Sequence, residues 1–136
     1  MKRKSNNPFA ATRTHHSTEA AEDYCELILA LTEKMSEART TEIAKNLGVS
    51  HVTAIRTMRR LGKEGYLKTE KHKPIELTQK GLKLARYCKE RHELVIKFLL
   101  RIGVPKNVAE LDAEGMEHHI SPITLQRIRY FLSAKS

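Results

Sequence analysis

With 136 residues, 40% of them hydrophobic, the chain can bury one compact core or two small ones, and it has no Trp. A net charge of +9 suits a polyanionic partner, because Lys and Arg displace the counterions condensed on nucleic acid. The two cysteines, Cys25 and Cys88, match no disulfide framework or zinc spacing. No apolar run approaches a membrane span and no secretory segment opens the chain, so a reducing, cytoplasmic setting is expected.

Residues 1–17 contain no acid and a single Pro, and they read as a disordered basic arm. Such an arm is either an undedicated tail or a contact to DNA phosphates, and His15-His16 read as polar tail residues. A helix is expected from Ser17 or Thr18, both N-cap types, to about residues 34–36. Its apolar positions Tyr24, Leu27, Ile28 and Leu31 follow the i, i+3, i+4, i+7 spacing.

Thr40–Leu61 carries the next signal. A short helix with Ile43, Ala44 and Leu47 meets Gly48, where a positive φ is easily adopted. Ser50 can then N-cap a second helix that buries Ala54, Met58 and Leu61. This is helix-turn-helix spacing, whose second helix enters the major groove. Two short strands, residues 65–70 and 75–77, flank the polar turn Lys71-His72-Lys73-Pro74 and complete a winged helix-turn-helix.

Thr78 caps a long helix from about Gln79 to Ile102. Its stripe of Leu84, Cys88, Val95, Phe98, Leu99 and Ile102 is more than a small winged domain can cover, so a dimer seam is the expected use. Gly103 and Pro105 break that helix. Val108–His118 forms a shorter one, and Ser121-Pro122 restarts a last one through Leu125, Ile128 and Phe131. The expected architecture is mostly α: an arm (1–17), a winged helix-turn-helix DNA-binding domain (18–78) and an all-helical dimerisation and metal-binding domain (79–136).

On the recognition helix, His51, Thr53, Arg56 and Thr57 face at least partly away from the expected core. Arg56 is the best base reader, because a guanidinium matches the O6/N7 edge of guanine. Ser50 and Thr53 can bond phosphate at the helix N-terminus. Arg59, Arg60 and Lys63, with Lys71 and Lys73 on the wing, read as backbone-positioning charges, although each alone could be a solvated surface charge.

If Asp112–His119 is helical, Glu114, Glu117 and His118 share one arc at i, i+3 and i+4. Two carboxylates and an imidazole suit a hard or borderline divalent metal. Upstream, Asp23 and Glu26 also share a helical face, and His92 lies midway along the long helix. Singly, each reads equally well as a surface acid, an interface His or an i,i+4 pair. Cys25 lies about 200° around its helix from Asp23 and should point away from such a site. Cys88, one turn before His92, is a packing residue or a minor metal contact. His119 reads as a supporting or capping residue.

Three motifs in this order behind a winged helix carry a resemblance: Glu22-Asp23-Tyr24-Cys25-Glu26, Glu90-Arg91-His92-Glu93-Leu94, and Asp112-Ala113-Glu114-Gly115-Met116-Glu117-His118-His119-Ile120-Ser121. From about Glu22 to Leu132 the chain resembles the diphtheria toxin repressor family of metal-dependent regulators, in its manganese transport branch. The resemblance implies that Asp23, Glu26, His92, Glu114, Glu117 and His118 are the metal ligands, able to hold two ions per subunit. It also implies a homodimer formed by the helices after the wing. In the iron-responsive branch a Met and a Cys take the positions of Asp23 and Glu114. Carboxylates there favour Mn²⁺, with Fe²⁺ the lesser choice. The chain also leaves no room for the extra small barrel of that branch. Ser121-Pro122 departs from the loop expected after the acidic motif.

The resulting expectation is a regulator that binds a palindromic operator when Mn²⁺ is bound and represses manganese uptake genes, with no membrane partner. The alternatives are an Fe²⁺-responsive member of the family or a winged-helix sensor of an organic ligand. A metalloenzyme is disfavoured: Glu114-x-x-Glu117 is not the Glu-x-x-His of di-metal bundles, and His92-Glu93 lacks the second His of a zinc protease motif.

Overall fold

The computed structural model describes the backbone of residues 8–134 and the side chains of residues 18–134. Its elements run α1 (Pro8–Met35), α2 (Thr40–Leu47), α3 (His51–Lys63), β1 (Leu67–Lys68), β2 (Glu76–Leu77), α4 (Gln79–Arg101), α5 (Lys106–Met116), a 3-10 turn (Glu117–His119) and α6 (Pro122–Ser133). They form two compact units, residues 1–86 and 87–136, and α4 continues from the first into the second.

α1 starts at Pro8 and not at Ser17 or Thr18, so the part of the expected arm from residue 8 onward is helical. Pro suits a first helical position, where its missing N–H costs nothing, and no further Pro or Gly interrupts the run to Met35. Residues 1–7 of the arm lie outside the described residues.

In the first unit the local chemistry matches expectation closely. α2 ends at Gly48 (φ 67°), and the Val49 N–H returns to the Ala44 carbonyl at 3.1 Å. Ser50 caps α3 by accepting from the Thr53 N–H at 3.0 Å. The wing strands are shorter than expected: they pair antiparallel with Leu67 opposite Leu77 and Lys68 opposite Glu76, and Thr69 and Glu70 fall outside the ladder. Thr78 caps α4 by accepting from the Gly81 N–H at 3.2 Å. Gly81 is required there, since a Cβ would lie 2.2 Å from the Tyr66 carbonyl oxygen.

The core of this unit gathers Cys25, Ile28, Ile43, Ala54, Met58, Leu61 and Ala85, all fully or almost fully buried. Because Leu84 and Ala85 pack with it, the compact division falls inside α4, between Arg86 and Tyr87. Cys25 points into this core, as its angular separation from Asp23 required. Burial pushes its thiol up from 9.0 to about 12.

The second unit has a smaller core of Val95, Leu99, Ala109 and Ala113, flanked by Ile96, Phe98, Val104 and Ile120. Phe98 meets Phe131 edge to face, with ring centroids 5.6 Å apart. Here the expected seam needs correction. Cys88, Val95 and Leu99 are buried by their own chain, and of that stripe Ile102 alone is among the exposed large apolar residues. The apolar residues left in solvent include Leu100, Val108, Leu111, Ile123 and Tyr130, mostly on α5 and α6. Helical periodicity identifies an apolar face but not whether the same chain or another molecule covers it.

Candidate nucleic-acid interface and metal centre

The outer face of α3 presents His51, Thr53, Arg56, Arg59 and Lys63 to solvent, whereas Thr57 and Arg60 are half-buried beside the core face. Ser50 both accepts from the Thr53 N–H and donates to Thr53 Oγ1 at 2.9 Å, so Thr53 keeps its own O–H for an incoming acceptor. Two apolar residues share this face: Val52 is 64% exposed, and Ile55 is also in solvent. Exposed apolar side chains on such a helix can contact thymine methyl groups.

A groove of about 650 Å³ runs between α3 and the wing, lined by Arg39, His51, Arg59, Lys71, His72 and Lys73 among others. The acid in its lining, Glu70, is paired to Lys73 at 2.8 Å. The resulting surface is positively charged where a phosphate backbone would pass. Sequence reasoning missed Arg39 and His72. The helix pattern assigns Arg39 no face, because it precedes α2, and only the folded wing brings His72 alongside it.

In the second unit the helix expected through His118 tightens after Met116 into the 3-10 turn. Glu117 turns inward and is 4% exposed, while Glu114, one turn earlier, stays in solvent. Burial of a carboxylate requires partners. Glu117 Oε2 lies 2.6 Å from His92 Nδ1, and Glu117 Oε1 lies 3.7 Å from His118 Nε2. Three of the six expected ligands, His92, Glu117 and His118, thus come together. In the first unit, Asp23 is exposed on α1 and Glu26 half-buried. As the side chains stand, no group of three or more His, Cys, Asp or Glu among the described residues has metal-holding geometry.

The protons explain part of this. A carboxylate accepts, so His92 donates from Nδ1, and in its neutral form this leaves the Nε2 lone pair for a ligand, an arrangement common behind metal-bound histidines. His118 differs. Arg91, itself 4% exposed, places Nη2 3.4 Å from His118 Nδ1. A guanidinium can only donate, so neutral His118 carries its proton on Nε2. Arg91 also lies over the Tyr87 ring at 5.5 Å and 3.9 Å from the buried Cys88 sulfur. Sequence reasoning overlooked Arg91, although its place beside His92 and four residues after Tyr87 was the available signal. The donor set, one buried carboxylate between two imidazoles, fits a borderline-to-hard divalent ion once Arg91 leaves His118 Nδ1, which frees that nitrogen or lets the proton move onto it from Nε2.

Comparison with known proteins bears on both regions. Residues 16–75 match the iron dependent repressor N-terminal DNA binding domain, and residues 78–134 match the iron dependent repressor metal binding and dimerisation domain. The transcriptional regulator MntR of Escherichia coli O6:H1 is 42% identical over 123 residues, covering 90% of this chain and 79% of the relative. The HTH-type transcriptional regulator MntR of Bacillus subtilis strain 168 is 38% identical over 112 residues, covering 82% and 79%. The solved structure of the manganese regulator SloR superposes with a TM-score of 0.72 at 27% identity, over 82% of this chain and 53% of that one. A manganese-dependent transcriptional repressor in complex with manganese gives 0.74 at 30% identity, over 82% and 52%. The chain therefore spans about half the length of these solved structures.

Proposed function

We propose a function from one premise: this chain belongs to the iron-dependent, or diphtheria toxin, repressor family of metal-dependent transcriptional regulators. The protein is a homodimeric DNA-binding regulator that acts in the cytoplasm, answers to Mn²⁺ and represses manganese uptake genes. Among the described residues no helix is long and apolar enough to cross a membrane. The relatives named as manganese regulators support the choice of metal, as does a donor set rich in carboxylates. The observation that carries the reading is buried Glu117, held between His92 and His118 in the region matched as metal-binding.

The ligands in this reading are Asp23, Glu26, His92, Glu114, Glu117 and His118. When bound, Mn²⁺ supplies a hard cation that draws carboxylate oxygens and imidazole nitrogens into one shell. The chain's own groups set the terms. Glu117 holds the proton on His92 Nδ1 and so keeps Nε2 aimed for ligation. His118 would ligate once Arg91 leaves Nδ1, either through Nδ1 itself or through Nε2 after the proton shifts to Nδ1. In a dimer whose two recognition helices are spaced near one DNA turn, roughly 34 Å, neutralising the ligand carboxylates would lower the ordering cost of operator binding. On α3, Arg56 reads bases, and Ser50, His51, Thr53, Thr57, Arg59, Arg60 and Lys63, with Lys71 and Lys73 of the wing, position the backbone.

Anaerobic fluorescence anisotropy with an operator fragment, titrated in parallel with Mn²⁺, Fe²⁺ and Zn²⁺, tests this. Affinity should rise at least tenfold with Mn²⁺. An operator affinity indifferent to all three metals would contradict the reading.

A further inference from the structure

A hairpin of two-residue strands does not hold its shape alone. Two contacts from the segment just before α2 support this wing. The Ile75 N–H donates to the Ala38 carbonyl at 2.8 Å, which adds a third, one-residue bridge to the sheet. The next residue, Arg39, has extended backbone (φ −108°, ψ 148°) at the N-cap of α2. Its Nη1 donates to the His72 carbonyl at the wing tip, 3.3 Å away, and its Nη2 donates to Glu37 Oε2 at 3.1 Å. His72 sits at φ 64°, a left-handed conformation that residues with a Cβ adopt sparingly. The tip is further closed by the Lys73 N–H on the Glu70 carbonyl at 3.1 Å.

We propose that Arg39 is a positioning residue for DNA binding, a brace that ties the wing tip to the start of α2 and thereby presents Lys71 to the phosphate backbone beside His51 and Arg59. The inference rests on the proposed DNA-binding function. Two features separate a brace from a phosphate contact. The guanidinium already spends donors on Glu37 and the His72 carbonyl, and the Glu37 carboxylate offsets its charge toward a polyanion. The ion pair is also half exposed on both sides, so its part in global stability is small. Its geometric role is the larger one, because it links two elements that line the same groove.

The test uses the full chain with and without DNA. Without DNA, amide hydrogen exchange in Arg39→Ala should speed up at Lys73 and Ile75, while the α3 amides exchange as in the wild type. With Mn²⁺ and operator, R39A should weaken binding roughly tenfold and leave the slope of log K against log salt unchanged. Lys71→Ala, a phosphate contact made once by each subunit, should lower that slope by about 0.9 per subunit, roughly 1.8 for the dimer. Arg39→Lys should not rescue, because a single ammonium cannot span Glu37 and the His72 carbonyl in one plane. Unchanged exchange at the wing tip in R39A overturns the brace, and so does a slope lowered in R39A as much as in Lys71→Ala, roughly 1.8 for the dimer. If the wild type binds no operator under any metal, the functional reading fails instead, and the exchange experiment still decides the brace.

Discussion

The winged unit and the helical unit are built from similar helices yet close their cores very differently. The first encloses Ile28, Ile43, Met58 and Leu61 almost completely. The second closes around Val95, Leu99 and two alanines, and leaves Leu111 and Ile123 71% and 72% exposed. A unit with a filled core carries its own fold. A unit that closes a smaller core and leaves two large apolar side chains more than two-thirds exposed calls for another molecule to complete it. The family match to a dimerisation domain falls on that second unit. The contrast separates a self-sufficient DNA-reading part from a part finished by assembly.

Breaking the first side of this contrast should have the largest effect. Ile28→Ala removes a side chain with no solvent exposure and should destabilise the winged unit by about 2–5 kcal/mol in urea unfolding. A loss below about 1 kcal/mol would mean the core is less complete than described. On the other side, the double substitution Leu111→Glu and Ile123→Glu should leave the winged core folded but abolish the dimer in sedimentation. Operator affinity should then fall by roughly 100-fold, since two half-sites no longer bind as one. A double variant that still sediments as a dimer places the seam elsewhere.

Glu117→Gln sharpens the contrast at the metal centre. It keeps the shape but removes the charge between the two imidazoles, and Mn²⁺ affinity read by the EPR signal of the free ion should fall roughly 10–100-fold. Stability of the winged unit should not move. The smallest effect concerns Cys25. Its folded-state thiol is raised to about 12, so above pH 9 the unfolded chain loses a proton that the folded one keeps. Stability is therefore full below pH 9, declines only as pH rises from 9 toward 12, and is untouched at neutral pH. Cys25→Ala should flatten that decline in pH-dependent urea unfolding.

Features set by near neighbours along the chain are legible in the sequence itself. Gly48, Ser50 and Thr78 act within a few residues of themselves, so their turn and cap roles follow from side-chain chemistry. The helix start at Pro8 is not legible, because Ser17 and Thr18 are good caps and nothing local says they sit inside a longer helix. The use of the α4 stripe is not legible for a different reason: part of it, Val95 and Leu99, is covered by its own chain. Of the six proposed ligands, His92, Glu117 and His118 come together in the structure. Their pairing is not legible, because the inward turn of Glu117 depends on a 3-10 step and the tautomer of His118 on Arg91. Arg39 escapes notice on similar grounds, since its partner His72 lies 33 residues away.

The central claim is that metal and DNA act on one equilibrium, and thermodynamic linkage supplies its most direct test. Mn²⁺ affinity can be measured by EPR for the full chain, alone and saturated with operator DNA. Operator should tighten Mn²⁺ binding by the same factor by which Mn²⁺ tightens operator binding, at least tenfold. Equal Mn²⁺ affinity with and without operator would contradict the claim.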